Sequence, residues 1–206
     1  MCNHYRNSVR KGEDPPQWYV LDEFSETRIE LDTLPRDVYP DRDAAVIRLN
    51  GNGAPSLDVM RWGFPPVQRT VVTNVRNTTS NFWKPWLKTE YRCLVPATSF
   101  AEWSPGPPKG ERWFATPDGS PFCFAGIWRP WTGTRGTKSN PVEGEHKLFA
   151  FLTCPPNDVV KPIHPKAMPV ILKPEDHDQW LTGSVEEALE LQRPFPNDDL
   201  ILETAA

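Results

Sequence analysis

A single compact α+β domain, β-rich around a mainly antiparallel sheet and carrying a few short helices, is the fold this sequence predicts. Three observations lead there. The apolar runs are short, rich in β-branched residues and bounded by Gly, Pro and Asn turns. Proline supplies 24 of the 206 residues, against an average usage of roughly 5%, and its spread along the chain disfavours long helices. No linker separates two cores, so one domain is expected over residues 1–206, its last helix and tail being residues 184–206.

Taken in order, residues 1–40 mix polar and aromatic side chains, and Pro15-Pro16 can open a short helix over residues 17–24. Residues 44–49 (AAVIRL) read as a strand. The Gly51-Asn52-Gly53 turn then returns the chain as a second strand over residues 57–62, which makes a hairpin. Residues 71–75 predict another strand, and residues 81–90, with Pro85 near the start, a short helix. Further strands are expected at residues 93–95 continuing toward 100–103, at 122–128 and at 148–153. The Gly-, Thr- and Ser-rich stretch between Trp131 and Glu145 reads as an exposed loop. A strand at residues 168–172 precedes two helices, over 174–181 and 184–192, the second with a capping box formed by Ser184 and Glu187.

Composition narrows the function. With 38% hydrophobic and 24% charged residues, nine Trp and ten Phe, the chain is not a disordered tail. No apolar run approaches the roughly 18 residues of a membrane span, and the start lacks the apolar region of a signal peptide, so a cytoplasmic protein is expected. A net charge of −4 argues against a uniformly basic coat. Cys2, Cys93, Cys123 and Cys154 contain no CxxC pair and are expected to be free thiols. No metal and no organic cofactor is indicated, and a monomer is expected.

Five features could carry chemistry. Cys2 follows the initiator Met directly; removal of Met1 would leave an α-amine and a thiol on adjacent carbons. With reference pKa values near 7.7–8.0 and 8.5, both are expected to reach a reactive form near neutral pH and to attack a carbonyl, the amine giving an imine and the thiol closing a thiazolidine. The alternative is an ordinary buried cysteine in a strand. Residues 61–92 hold Arg61, Arg69, Arg76, Lys84, Lys88 and Arg92 against the single acid Glu90, interleaved with Trp62, Phe64, Phe82, Trp83 and Trp86. Cations among flat rings suit single-stranded nucleic acid, though each residue alone could be core or a solvated charge. Glu102, between aromatic residues, is a proton-transfer candidate or a surface carboxylate. His164 leads into an apolar strand and could shuttle protons or cap the turn; His4 lies near Cys2, while His146 and His177 are expected to be solvated. Asn74 and Arg76 alternate on one strand face, the amide suited to orienting an amine and the guanidinium to binding phosphate.

Together these segments resemble the SOS response-associated peptidase (SRAP) family. The resemblance rests on Met1-Cys2, Arg61-Trp62-Gly63-Phe64, Asn74-Val75-Arg76, Arg92-Cys93-Leu94-Val95-Pro96-Ala97 leading to Glu102-Trp103, Phe124-Ala125-Gly126-Ile127-Trp128, Thr153, and His164 followed by Met168-Pro169-Val170, in the family's order over residues 1–183. It implies a β-rich fold that binds single-stranded DNA and captures abasic sites through Cys2 as a thiazolidine DNA–protein crosslink. By the same resemblance Asn74 holds the Cys2 amine, Glu102 transfers protons, and His164 assists at the imine and in reversal. Arg76 grips a phosphate, Trp62, Gly63 and the segment around Trp83 support the DNA groove, and Trp103 and Thr153 line the pocket. It also implies proteolytic self-processing, for which removal of Met1 would suffice. The chain departs from the family pattern at Asn3 and His4, where Gly-Arg is usual, and at Thr78, where a carboxylate is usual.

Two other classes fit parts of the sequence. An N-terminal-nucleophile Cys amidohydrolase would use the thiolate on an amide with the α-amine as base. A noncatalytic single-stranded DNA-binding module would leave Cys2 incidental.

Overall fold

The computed structural model describes residues 2–8, 33–67, 70–137 and 139–203. The strands in chain order are β1 (His4–Arg6), β2 (Asp37–Val38), β3 (Asp43–Leu49), β4 (Pro55–Trp62), β5 (Phe64–Val67), β6 (Thr70–Val72), β7 (Asn74–Val75), β8 (Arg92–Ala97), β9 (Ser99–Ser104), β10 (Gly110–Ala115), β11 (Phe122–Thr137), β12 (Asn140–Cys154), β13 (Met168–Pro169), β14 (Ile171–Leu172) and β15 (Ile201–Leu202). Two six-residue helices, α1 (His177–Thr182) and α2 (Val185–Glu190), follow β14.

The hairpin around Gly51-Asn52-Gly53 forms as the sequence predicts, with β3 and β4 antiparallel in a register that sets Ala44 opposite Met60. From it a five-stranded ring closes. β3 pairs β8 at Ile47 and Leu94, β8 pairs β11, β11 pairs β12, and β12 returns in parallel to β4. Closure removes the open edges that a flat sheet of these strands would expose. A second sheet, ordered β15-β10-β9-β1-β2, packs against the barrel through Tyr5 and Phe100. The Tyr5 ring meets Trp62 at 5.2 Å and Phe124 at 5.7 Å, and Phe100 meets Phe124 at 6.0 Å, edge-on in each case. One buried apolar cluster runs through both sheets.

Two connections bring the distant segments together. At Thr98, whose amide donates to Arg6 O at 2.7 Å, the chain leaves barrel strand β8 for β9 in the second sheet. β9 then lies beside β1, with Ala101 opposite His4. On the barrel side β12 pairs with β7 and with β13 beyond its contacts to β4, so the seam between the sheets collects residues from β1, β7, β9 and β12.

Several elements differ from the sequence reading. The stretch between Trp131 and Glu145 is an arm of two paired strands, in which Gly133 faces Gly144 and Thr137 faces Asn140. Buried Arg135 anchors this arm by donating to Asp41 Oδ1 at 2.9 and 2.6 Å. The expected strand at 71–75 breaks at Thr73 into β6 and β7, and the strand at 168–172 breaks into β13 and β14. Instead of one helix over 81–90 there are two 3₁₀ turns, Lys84–Leu87 and Thr89–Tyr91. The expected helix over 174–181 begins as a 3₁₀ turn at Pro174–Asp176. The Ser184–Glu187 capping box is present in full. The helix expected over 17–24 lies outside the described residues. Among the described residues no helix is long and apolar enough to cross a membrane.

Candidate active site at the seam of the two sheets

Cys2 sits just before β1 with no exposed surface, and its thiol donates to His4 O at 3.4 Å. All four cysteines are free and buried. Burial, reinforced by the negative charge of Glu102, pushes the Cys2 thiol well above its ordinary range. This corrects the expectation of an untuned thiol: at neutral pH it keeps its proton.

Asn74, at the start of β7, reaches Cys2 across the seam. Its Nδ2 donates to Cys2 O at 2.9 Å and to Thr73 Oγ1 at 2.7 Å. Its Oδ1 is buried and has no hydrogen-bond partner among the described residues. Glu102, on β9, is 2% exposed. Alternation along β9 turns it inward and the next residue, Trp103, outward with 60% exposure. Burial raises the Glu102 pKa, opposed by the positive charges of the amino terminus and His164. His164 Nδ1 lies 3.9 Å from Glu102 Oε2 and donates to Ala167 O at 2.7 Å, which fixes the ring at the end of its turn. Residues from four separate segments, Cys2, Asn74, Glu102 and His164, therefore share one site.

Arg76 lies exposed just beyond β7, and its Nη1 donates to Lys166 O at 2.6 Å, which ties it to the His164 turn. Lys84 is exposed, and Trp83 is half-buried with its ring 5.5 Å from Phe64. Thr153 is buried on β12. Gly63 is buried and held at φ 113°, with its amide donating to Phe149 O at 2.8 Å. A Cβ there would lie 3.2 Å from the Val71 Cβ, so glycine suits both the backbone conformation and the space.

Two residues expected at the DNA groove belong to the scaffold. Trp62 has no exposed surface, stacks on Phe151 at 5.2 Å, and spends its indole N–H on Thr73 O at 3.1 Å. Arg92 is 1% exposed, and its guanidinium donates to Leu87 O, Trp180 O and Gly183 O at 2.7–2.8 Å. His4 is also committed elsewhere. Its ring lies 3.0 Å from Glu111 and 2.9 Å from Asp37, and stacks on Tyr39. His177, expected to be solvated, is buried, and burial pushes its pKa down to about 4.

The sequence reading missed Thr73 and Gln192. Thr73 Oγ1 donates to Asn3 Oδ1 at 3.2 Å while accepting from Asn74. Gln192 Nε2 donates to Arg76 O at 3.0 Å and Thr153 O at 2.9 Å, and its Oε1 accepts from Thr78 at 2.9 Å. Thr78 thus holds the chain beside Arg76 through Gln192 rather than through a carboxylate of its own. No local pattern flags either residue: Thr73 falls inside a run that reads as one strand, and only the structure breaks that strand there.

Fold and site define a β-barrel domain with a Cys-Asn-Glu-His cluster at the seam with its second sheet, in which Cys2, Asn74 and Glu102 are buried and His164 is partly exposed. The family model described as SOS response associated peptidase (SRAP) matches residues 1–204. The chain belongs to this family, and the match extends through α2 and into the tail. It is 29% identical over 179 residues to the abasic site processing protein YoqW of Bacillus subtilis, covering 80% of this chain and 75% of that one. It is 29% identical over 181 residues to YobE of the same organism, an abasic site processing protein, covering 80% and 77%. In fold it is similar to a Bordetella bronchiseptica crystal structure, with a TM-score of 0.76 at 21% identity over 100% of both chains. A Bacteroides thetaiotaomicron crystal structure gives 0.65 at 24% identity over 98% of this chain and 90% of that one.

Proposed function

We propose that the protein binds single-stranded DNA and captures abasic sites covalently through Cys2 after removal of Met1. The observation that carries this reading is the grip of Asn74 on the backbone of Cys2 beside a buried carboxyl of raised pKa, with a histidine 3.9 Å from that carboxyl. The internal cysteines Cys93 and Cys123 are simply buried thiols with raised pKa. The names of the Bacillus relatives supply the substrate class.

The chemistry follows from the protonation states. Removal of Met1 is required to create the amine, and Cys2 has no exposed surface in the chain that retains it. The free amine attacks the C1′ aldehyde of the ring-opened sugar to give a carbinolamine. Protonated Glu102, favoured by burial, donates to the departing hydroxyl, so water leaves and an iminium and a carboxylate remain. The thiol then adds to the iminium carbon and passes its proton to Glu102. Aldehyde and aminothiol have become thiazolidine and water, with Glu102 restored. A thiol that stays protonated until the iminium forms places the amine first, and it weighs against an amidohydrolase, which needs the thiolate at the outset. His164, beside Glu102, assists proton movement in both directions. Arg76 and Lys84 contact phosphates, Trp103 offers an exposed ring for stacking, and buried Thr153 holds Gln192, which in turn holds the backbone of Arg76. Removal of Met1 is the self-processing this reading requires.

The test is to incubate the protein with single-stranded DNA carrying one abasic site and look for an adduct that survives denaturation. Wild type forms it, Cys2→Ala forms none, and Cys2→Ser gives at most an imine that reverses unless trapped by borohydride. Equal adduct from all three removes Cys2 from the chemistry. Reversible binding with no adduct from wild type supports a noncatalytic module instead.

A further inference from the structure

We propose that Thr73, fixed by Asn3, is a positioning residue that locks the Asn74 amide so that its oxygen serves as the acceptor for the Cys2 amine. The inference rests on the capture reading above and concerns residues outside the Cys-Asn-Glu-His cluster.

A carboxamide has two ends of opposite hydrogen-bonding character, and only one can guide a nucleophilic amine. An oxygen accepts an N–H from the amine and leaves its lone pair free to attack; an NH₂ donates into that lone pair and blocks it. The Cys2 carbonyl, 2.9 Å away, can only accept, so the Asn74 atom that meets it is the nitrogen. That bond engages one N–H. The second goes to Thr73 Oγ1 at 2.7 Å, an oxygen that could itself donate or accept. Asn3 decides which: the single hydroxyl proton of Thr73 goes to Asn3 Oδ1 at 3.2 Å, so toward Asn74 the hydroxyl presents lone pairs. Both N–H groups are then held, and Oδ1 remains as a buried acceptor without a partner among the described residues. An unpartnered buried acceptor beside Cys2 is what the amine, formed when Met1 leaves, can satisfy.

The backbone of Thr73 is fixed as well. Its carbonyl accepts the Trp62 indole N–H at 3.1 Å, which holds the break between β6 and β7 where the hydroxyl turns toward Asn3. Trp62, which has no exposed surface, thus supports the site through Thr73. Asn3 stands where the resembling family usually has Gly, so the lock is built from a position at which this chain departs from that pattern.

The experiment compares wild type, Thr73→Val, Thr73→Ser and Asn3→Gly, measuring single-turnover imine formation by borohydride trapping on abasic single-stranded DNA across pH. Valine keeps the shape of threonine but neither accepts from Asn74 nor donates to Asn3, so the amide keeps one bond and rotates. Imine formation falls about tenfold, as for a misplaced reacting group. The midpoint of the rate against pH also moves to lower pH, because an acceptor that favoured the ammonium is lost. The titratable groups of Glu102 and His164 near Cys2 are untouched. Serine restores both rate and midpoint, which a packing role for the threonine methyl would not. Asn3 is exposed, so Asn3→Gly leaves the fold intact and shifts rate and midpoint in the same direction by a smaller amount. Wild-type rate and midpoint in Thr73→Val, or failure of serine to rescue, overturns the lock while leaving capture standing. Absence of any trapped imine in wild type overturns capture itself.

Discussion

Arg92 and Glu102 lie on consecutive strands, β8 and β9, and the fold buries both, one 1% and the other 2% exposed. The guanidinium of Arg92 is surrounded by carbonyls from the 3₁₀ turn at Leu87 and from Trp180 and Gly183 around the end of α1. Burial lowers its pKa, yet an arginine starts so high that it stays charged, and its donors are met by backbone that cannot move away. Glu102 is placed where burial favours the neutral acid and where a histidine stands at 3.9 Å. A buried charge answered by backbone carbonyls is a clamp. A buried acid whose pKa is moved toward neutrality is equipped to exchange its proton.

The largest effect should come from breaking the clamp. Arg92→Met removes charge-assisted hydrogen bonds to three carbonyls, those of Leu87 and Trp180 buried and that of Gly183 partly so, a loss of about 3 kcal/mol in unfolding free energy. Urea titration should show the lower midpoint. Imine formation per folded molecule should remain at the wild-type rate, and a fall in that rate at full folding would return Arg92 to the DNA interface.

Removing the acid should do the reverse. Glu102→Gln keeps shape and burial but holds no exchangeable acid proton, and capture should slow by about 10²-fold. The sign of its stability effect follows from the raised pKa. Stability contributed by the protonated carboxyl is fully present below the unfolded value of about 4.3 and is lost as pH rises toward the raised folded value. Wild type should therefore lose stability relative to Glu102→Gln as pH climbs from that value, then run parallel to it. Urea titrations at a series of pH values measure this directly, and a gap that widens in favour of wild type would contradict the burial of an acid.

The contrast also marks what was legible in the sequence. The β3–β4 hairpin and the Ser184 cap could be read because their signals are local, a Gly-Asn-Gly turn and a side chain that bonds three residues along. Cys2, Asn74, Glu102 and His164 could be named by resemblance, but their convergence depends on the crossing from β8 to β9 and on β12 pairing with both β4 and β7. Composition misled at the β11–β12 arm, whose Gly, Thr and Ser suit a loop. What holds it is pairing with its own return strand and the reach of Arg135 to Asp41. Arg92 misled for the same reason: a cation among aromatic residues reads alike whether phosphates or backbone carbonyls meet it, and here the carbonyls come from segments far along the chain.

Arg76 is where the comparison can be sharpened with the smallest change. It stands in the same basic stretch as Arg92, but its side chain is exposed, and its carbonyl rather than its guanidinium is held by Gln192. Its Nη1 bond to Lys166 O leaves the remaining donors of the fork to turn toward a phosphate. A phosphate contact releases a counterion and carries no base preference, so its loss has a definite signature. Arg76→Gln should weaken binding to abasic-free single strands equally across sequences and reduce the slope of log affinity against log salt by about 0.7. Arg92→Met, measured where it is folded, should leave the slope as it was. If Arg76→Gln leaves the slope unchanged while Lys84→Gln lowers it, the phosphate path runs over the 3₁₀ turn that carries Lys84, and Arg76 serves instead to hold the His164 turn against β7.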